Sequence, residues 1–203
     1  MMPDHAKPVA AAVGFRVKSG WATAVLLAGP LNSPRVIERR AIDLSDPAVS
    51  GSRQPYHAVM EAARKDAARI EKQLCRIVRD TTKTSVTDFL DAHRSAHDIH
   101  FAGIVVGSDI DPDKIKNDHI RAHALEGRLF RTAVEEALQS LGVPCLVIVE
   151  RGAYTQAAAA LQRSEDELRG AVTALGRTLG GPWRADEKTA TLAAWMALSQ
   201  PLN

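Results

Sequence analysis

The strongest constraint on the fold is a run of three strand-like segments within the first fifty residues. Residues 9–17 (VAAAVGFRV) are almost entirely apolar, which is typical of a strand covered on both faces. Residues 21–28 (WATAVLLA) form a second apolar run after a tight turn at Lys18-Ser19-Gly20. Residues 35–42 mix Val and Ile with charged side chains, a pattern that an edge strand tolerates. These segments predict two consecutive hairpins, with the third strand outside the second.

Two further apolar runs predict strands four and five, at residues 99–106 and 146–149. Each follows a helical pattern long enough to cross over the sheet, so both strands should run parallel to strand one. The predicted fold is therefore α/β, a mixed five-stranded sheet of order 3-2-1-4-5. In it strand two is antiparallel to strand one, and helices cover both faces.

Helical periodicity fills the remaining segments of the chain. After a loop over residues 43–56 we predict one helix up to about Asp80, a break at Thr81–Thr84, and a shorter helix ending near Leu90. Ser164 and Glu167 have the spacing of a capping box. The other predicted helices cover approximately residues 118–141, 153–162, 165–179 and 185–199.

The composition narrows the class of protein. A chain of 203 residues predicts a single domain, here with a helical segment at about 57–97 between strands three and four. Contents of 45% hydrophobic and 25% charged residues exclude a disordered chain. The 26 basic and 24 acidic residues nearly balance, so charge neither requires nor excludes a nucleic-acid partner.

The cysteines, the early charged residues and the lengths of the apolar runs predict the cellular compartment. Cys75 and Cys145 belong to no CxxC pair, and Cys145 lies in an apolar run that favours a buried, reduced thiol. Arg16 and Lys18 interrupt the apolar start of the chain, which argues against a signal peptide. No apolar run approaches the ~18 residues of a membrane span. We therefore expect a cytoplasmic protein without a membrane partner.

A ligand site is expected at one particular edge of this sheet. In open sheets with parallel strands, ligands bind beyond the carboxyl ends of those strands. Arg16 to Lys18, Gly107 to Asp109 and Glu150-Arg151 follow strands one, four and five to that edge. The first turns of the crossover helices should lie there too.

The long helix begins with three residues that could bind a metal. His119, His123 and Glu126 fall within about 60° of one another on the helix, above its core-facing stripe. Histidines four apart with a carboxylate one turn on can ligate a divalent ion. The alternative is that His119 caps the helix and that His123 is a rim residue bonded to the backbone. His57, after the preceding loop, is a candidate to join them.

Asp186 heads a stripe of small residues in the last predicted helix. It aligns with Ala190, Ala193 and Ala197, which suit close packing of this helix on the sheet. This places Asp186 at the ligand edge. Its alternative role is that of an acid favoured by the dipole at the start of a helix.

Several short motifs resemble the branch of the ribonuclease-H-like superfamily that contains RuvC-type Holliday-junction resolvases and YqgF-type proteins. Val105-Val106-Gly107 resembles the VVG that ends strand four in the YqgF type. Glu150-Arg151 followed by Thr155 resembles its DER…T segment, and Ala185-Asp186-Glu187 resembles the opening of the final RuvC helix. The resemblance implies a ribonuclease-H-like fold over roughly residues 9–42 and 99–199.

This chain departs from that pattern at positions of carboxylates, and these departures affect the nuclease activity that we expect. The resemblance implies carboxylates at three positions where this chain has Arg16, Val149 and Thr189. Two-metal cleavage of a phosphodiester needs several anionic ligands around two divalent ions. At about 4 Å and an effective dielectric constant of about 20, a cation repels a unit positive charge by roughly 4 kcal/mol. We therefore expect two-metal nuclease activity to be absent.

Three functions follow as hypotheses. The first is a nucleic-acid or nucleotide binding module whose phosphate contacts come from five cations: Arg16, Lys18, Arg121, Arg151 and Arg184. The second is a metal-dependent hydrolase or nuclease with a rebuilt site. In it Glu126, Glu150 and Asp186 are catalytic, and His119, His123 and Glu126 hold Mg or Mn. The third is a scaffold that self-associates, for example as a homodimer, through residues 57–97 or strand three.

Overall fold

A five-stranded mixed sheet organises the protein. The computed structural model describes residues 8–201, except for the side chain of residue 178. The strands are β1 (Val9–Lys18), β2 (Trp21–Ala28), β3 (Arg35–Asp43), β4 (His97–Val106) and β5 (Cys145–Val149). Their order is β3-β2-β1-β4-β5; β1 is antiparallel to β2 and parallel to β4, and β5 is parallel to β4, as predicted.

Burial explains this order. Residues 11–17 of β1 are all buried, because β1 lies between β2 and β4 and is covered on both faces. The apolar run that predicted a central strand therefore occupies the centre of the sheet. β3 has its charged side chains half-buried or exposed, and it forms one edge. Charged side chains at an edge stay hydrated and discourage pairing with another chain.

Helices cover both faces of the sheet. They are α1 (Pro55–Glu61), α2 (Ala67–Asp91), α3 (Asp118–Ser140), α4 (Ala153–Leu161), α5 (Glu165–Leu175) and α6 (Ala185–Leu198). Phe15 on one face packs with residues of α2 and α3, whereas Val25 and Val105 on the other face pack with residues of α4, α5 and α6. Among residues 8–201, no helix combines the length and the hydropathy needed to cross a membrane.

The predicted break at Thr81–Thr84 is wrong. α2 runs without interruption through these threonines, and the chain instead leaves the helical conformation at Ala62, between α1 and α2. Thr82 is buried and donates its hydroxyl hydrogen to the carbonyl oxygen of Leu44 at 3.3 Å. Tertiary packing therefore outweighs the low helix propensity of threonine at this point. The predicted capping box of Ser164 and Glu167 is confirmed at the start of α5.

α6 lies against the sheet backbone to backbone. A Cβ atom at Gly14 would lie 1.9 Å from the carbonyl oxygen of Ala190, and one at Gly103 would lie 2.4 Å from that of Ala193. Both distances are far inside van der Waals contact, so only glycine fits at these positions of β1 and β4. The predicted stripe of small residues is buried here, and the approach fixes where the first turn of α6, with Asp186, meets the sheet edge.

Both cysteines are free thiols in weakly reactive surroundings. Burial is the main cause that raises the pKa of Cys75, which lies 3.9 Å from the hydroxyl of Tyr56. Burial also raises the pKa of Cys145, although this residue is half-buried rather than buried as predicted, since β5 is an edge strand. A raised pKa lowers the thiolate fraction, and the thiolate is the nucleophile.

We therefore expect both thiols to react with a disulfide reagent at pH 8 much more slowly in the folded protein than in urea. Absorbance of the released thiolate measures the two rates. Equal labelling rates of the two thiols in the folded and in the unfolded protein would contradict this expectation.

Candidate site at the carboxyl edge of the sheet

Two parallel strands on either side of β4 deliver charged residues to one edge. Arg16 pairs with Val105 in the register of β1 and β4, and Val106 pairs with Val149 in that of β4 and β5. Parallel strands bring their carboxyl ends together, so Arg16 and Lys18 of β1 lie at the same edge as Glu150, the residue that follows β5.

Arg16 forms the centre of an ion-pair cluster at this edge. Its side chain is only 4% exposed, and its Nε and Nη2 donate to the two carboxylate oxygens of Glu150 at 3.2 and 2.5 Å. Nη1 donates to the carbonyl oxygen of Val17 at 2.8 Å, and Nε lies 3.9 Å from Asp186. A two-point contact of this kind fixes the guanidinium in orientation as well as in position.

Asp186 has a second cation beside it. Lys18 Nζ lies 3.1 Å from the Asp186 carboxylate, in the first turn of α6. We call Arg16, Lys18, Glu150 and Asp186 the ion-pair cluster. Its two carboxylates, predicted as catalytic, are each paired with a cation of β1. The sequence predicted their edge but not this pairing, because the residues are more than 130 positions apart along the chain.

A second cluster lies at the start of α3. His119 and His123 are one turn apart on α3, and His57 reaches them from α1. His57 Nε2 lies 3.2 Å from His119 Nδ1, and His119 Nε2 lies 3.2 Å from His123 Nε2. We call these three residues with Glu126 the histidine cluster.

Glu126 closes the histidine cluster from beneath. Its side chain is fully buried, and its Oε1 accepts from Nδ1 of His57 at 2.8 Å and from the backbone N–H of His57 at 3.3 Å. Its Oε2 has no hydrogen-bond partner within residues 8–201, and His123 Nδ1 is 3.7 Å away. The sequence predicted one site made of the histidines, Glu126, Glu150 and Asp186. These residues instead form two clusters, because the histidines contact Glu126, whereas Glu150 and Asp186 contact cations of β1.

The structure does not show the roles given as alternatives to metal binding, which were a helix cap for His119 and a rim residue bonded to the backbone for His123. Asn117 caps α3 by accepting the N–H of Ile120 at 3.0 Å, so His119 is not the cap. His123 contacts His119 rather than a backbone group. Both side chains are exposed, which a rim histidine packed against the core would not be.

The remaining predicted cations differ in whether a carboxylate pairs with them. Arg121 forms an ion pair with Asp118 at 2.9 Å on the exposed side of α3. Arg151, in the turn after β5, and Arg184, just before α6, are both exposed. A cleft of about 260 Å³ brings the two clusters to one surface, since Arg16, Lys18 and His123 all line it.

Comparisons with known proteins identify the fold. No protein-family model matches the sequence, and no curated protein is significantly similar to it. RuvC of Thermus thermophilus, solved in complex with a Holliday junction substrate, matches with a TM-score of 0.54 at 11% identity over 92% of this chain and 90% of RuvC. A second structure of this RuvC also gives 0.54, at 12% identity over 92% and 91%.

A third solved structure is the yeast mitochondrial Holliday junction resolvase Ydc2, with a TM-score of 0.44 at 10% identity over 95% of this chain and 80% of Ydc2. The RuvC matches extend over nearly the whole of both chains, and the strand order found here is the one predicted from the hairpins and crossovers. The chain therefore has the ribonuclease-H-like fold, in the form seen in RuvC.

Proposed function

We propose that this protein is a nucleic-acid-binding ribonuclease-H-like domain without a two-metal nuclease centre. The observation that carries the proposal is the buried guanidinium of Arg16, held between Glu150 and Asp186. The two carboxylates already face fixed protein cations, so they have little net negative charge to offer to divalent ions. The residues present at this edge therefore do not fit a pair of such ions.

The surroundings of the ion-pair cluster favour a polyanion. Arg16, Lys18, Arg151 and Arg184 are four cations against the two carboxylates of the cluster. Arg151 and Arg184 are exposed and have no ion-pair partner among residues 8–201, so their guanidinium groups are free to meet phosphates. Phosphate contacts position a protein on nucleic acid without reading its sequence. A RuvC structure with this fold holds a Holliday junction, which makes branched DNA the first ligand to test.

The test is binding of a fluorescent four-way DNA junction, followed by anisotropy between about 50 and 200 mM salt. The two free guanidinium groups, of Arg151 and Arg184, give about two phosphate contacts, so the affinity should fall roughly 10-fold over this range. Arg151→Ala and Arg184→Ala should each weaken binding and each reduce the salt slope by about 1. Lys83→Ala, an exposed cation on α2 outside the edge, is the control and should leave both quantities unchanged.

Two results would contradict the proposal. One is the absence of binding even at about 50 mM salt, where phosphate contacts are strongest. The other is equal weakening by Lys83→Ala and by the two arginine variants, which would mean that binding is spread over the surface rather than placed at this edge.

Metal-dependent phosphodiester hydrolysis is a second candidate function, favoured by the convergence of His57, His119 and His123 beside the same cleft. Cleavage of labelled branched DNA and RNA with added Mg, Mn or Zn tests it.

Self-association as a homodimer stays a prediction, and light scattering over a concentration series tests that.

A further inference from the structure

We propose that His57, His119 and His123 form a mononuclear site for a transition-metal ion of the zinc class, and that the buried Glu126 orients His57 as a ligand. One ring nitrogen from each histidine lies within 4.8 Å of the other two. This goes beyond nucleic-acid binding and does not depend on it. It differs from the sequence-based expectation in that Glu126 is a supporting residue and His57 is the third ligand.

The rings lie close enough to share an ion after a small rotation, because one nitrogen from each lies within 4.8 Å of the other two. Two imidazole nitrogens bound to zinc at about 2.0–2.1 Å in tetrahedral geometry lie about 3.3–3.4 Å apart. His57 and His119 approach to 3.2 Å, and so do His119 and His123. His119 presents Nδ1 to one neighbour and Nε2 to the other, and its exposed ring can turn to offer one of them to an ion shared by all three.

The hydrogen bond from His57 to Glu126 sets the ligand atom. Because Glu126 Oε1 accepts at 2.8 Å, this network assigns the ring proton of His57 to Nδ1. The lone pair is then on Nε2, the nitrogen that faces His119. A carboxylate behind a ligating histidine is the usual outer-shell arrangement of zinc sites, where it fixes the ring and raises its basicity.

The burial of Glu126 is the second observation. This carboxylate is fully buried, its Oε2 has no hydrogen-bond partner, and no Lys or Arg pairs with it among residues 8–201. A buried carboxylate is costly unless it is paired with positive charge. A divalent ion on His57 and His123 would supply that charge through the two rings that lie nearest to the carboxylate.

The donor set selects the metal. Imidazole nitrogen suits Zn, Co, Ni and Cu, whereas Mg and Ca take oxygen ligands. Three histidines leave one coordination position of a tetrahedral ion open to water or another ligand. His119 and His123 are exposed, and His123 lines the cleft shared with Arg16 and Lys18, so an ion can reach the site from solvent.

The test uses the full chain, stripped with a chelator and titrated with Co(II) in the absence of nucleic acid. Visible absorption reports tetrahedral cobalt, and competition with Zn(II) gives the zinc affinity. We expect one ion per chain, displaced by Zn and not by Mg. Glu126→Gln should weaken binding by roughly 10- to 100-fold, and His119→Ala and His123→Ala should each weaken it by more.

The controls separate a built site from a folding defect or surface binding. His119 and His123 are exposed, so their alanine variants should keep the melting temperature of the metal-free protein. His100→Ala, in the amino-terminal half of β4, is the matched histidine variant and should bind cobalt as the parent does. At a given zinc concentration, the melting temperature should rise most in the parent and in His100→Ala, and less in the variants of His119, His123 and Glu126.

Two outcomes would overturn the inference: no tetrahedral cobalt spectrum in the parent protein, or an affinity that His119→Ala and His123→Ala leave unchanged. In either case the three rings are a hydrogen-bonded histidine cluster without a metal. Because these measurements contain no DNA, their failure would be distinct from a failure of junction binding.

Discussion

Gly14→Ala should destabilise the fold by about 3 kcal/mol or more, since overpacking a tight core costs about 1–3 kcal/mol and here the obstacle is backbone. The new methyl group would lie 1.9 Å from Ala190 O and 2.6 Å from Ala194 N of α6. Backbone atoms cannot turn aside as a side chain can, so α6 must move off β1. Urea unfolding followed by circular dichroism measures the change in the free energy of unfolding.

Gly170→Ala is the matched control for this prediction. Gly170 lies exposed in α5, and nothing in the described part of the chain lies within 4 Å of a Cβ built there. Alanine is the better helix former, so this variant should gain about 0.5–1 kcal/mol. A loss of less than about 1 kcal/mol in Gly14→Ala would mean that α6 does not hold its close approach to the sheet.

Glu150→Ala should lower the free energy of unfolding by about 3 kcal/mol, because it leaves the guanidinium of Arg16 buried without its main partner. Breaking a buried ion pair costs about 3–5 kcal/mol, and the lower end applies because Glu150 is 39% exposed. Of its described partners, Arg16 would keep the carbonyl oxygen of Val17 at 2.8 Å and Asp186 at 3.9 Å.

The control for this prediction is Glu136→Ala, which removes an ion pair with Arg79 whose partners are 50% and 48% exposed. Such surface pairs contribute about 0–1 kcal/mol. Equal unfolding free energies for the two variants would show that Arg16 is not held by Glu150. The proposal that the edge lacks a two-metal centre would then lose its main support.

Local features of the sequence predicted most of the fold. Apolar runs located the strands, and the length of the crossover helices required β4 and β5 to run parallel to β1. The prediction failed at α2, where threonines suggested a break. Thr82 is stabilised there by a hydrogen bond to Leu44, a residue 38 positions away, and no local pattern reveals such a contact.

The residues of the candidate site likewise fall into those that local sequence patterns predicted and those that only tertiary contacts brought in. Helical periodicity by itself brought His119, His123 and Glu126 to one face, because residues three and four apart on a helix are neighbours whatever surrounds them. His57 carried no local signal of its partnership with Glu126, which lies 69 positions later and meets it only because α1 packs on α3.

The amino-acid sequence alone thus determined the strand order, the α3 residues of the histidine cluster and the arrival of Arg16, Glu150 and Asp186 at one edge. Each of these follows from periodicity or from the handedness and direction of chain crossovers. Only the tertiary structure decided that Arg16 pairs with Glu150 and Asp186, and that Glu126 lies beneath His57 and accepts its hydrogen bond. Ion pairing and burial depend on distances between remote segments, and packing sets those distances.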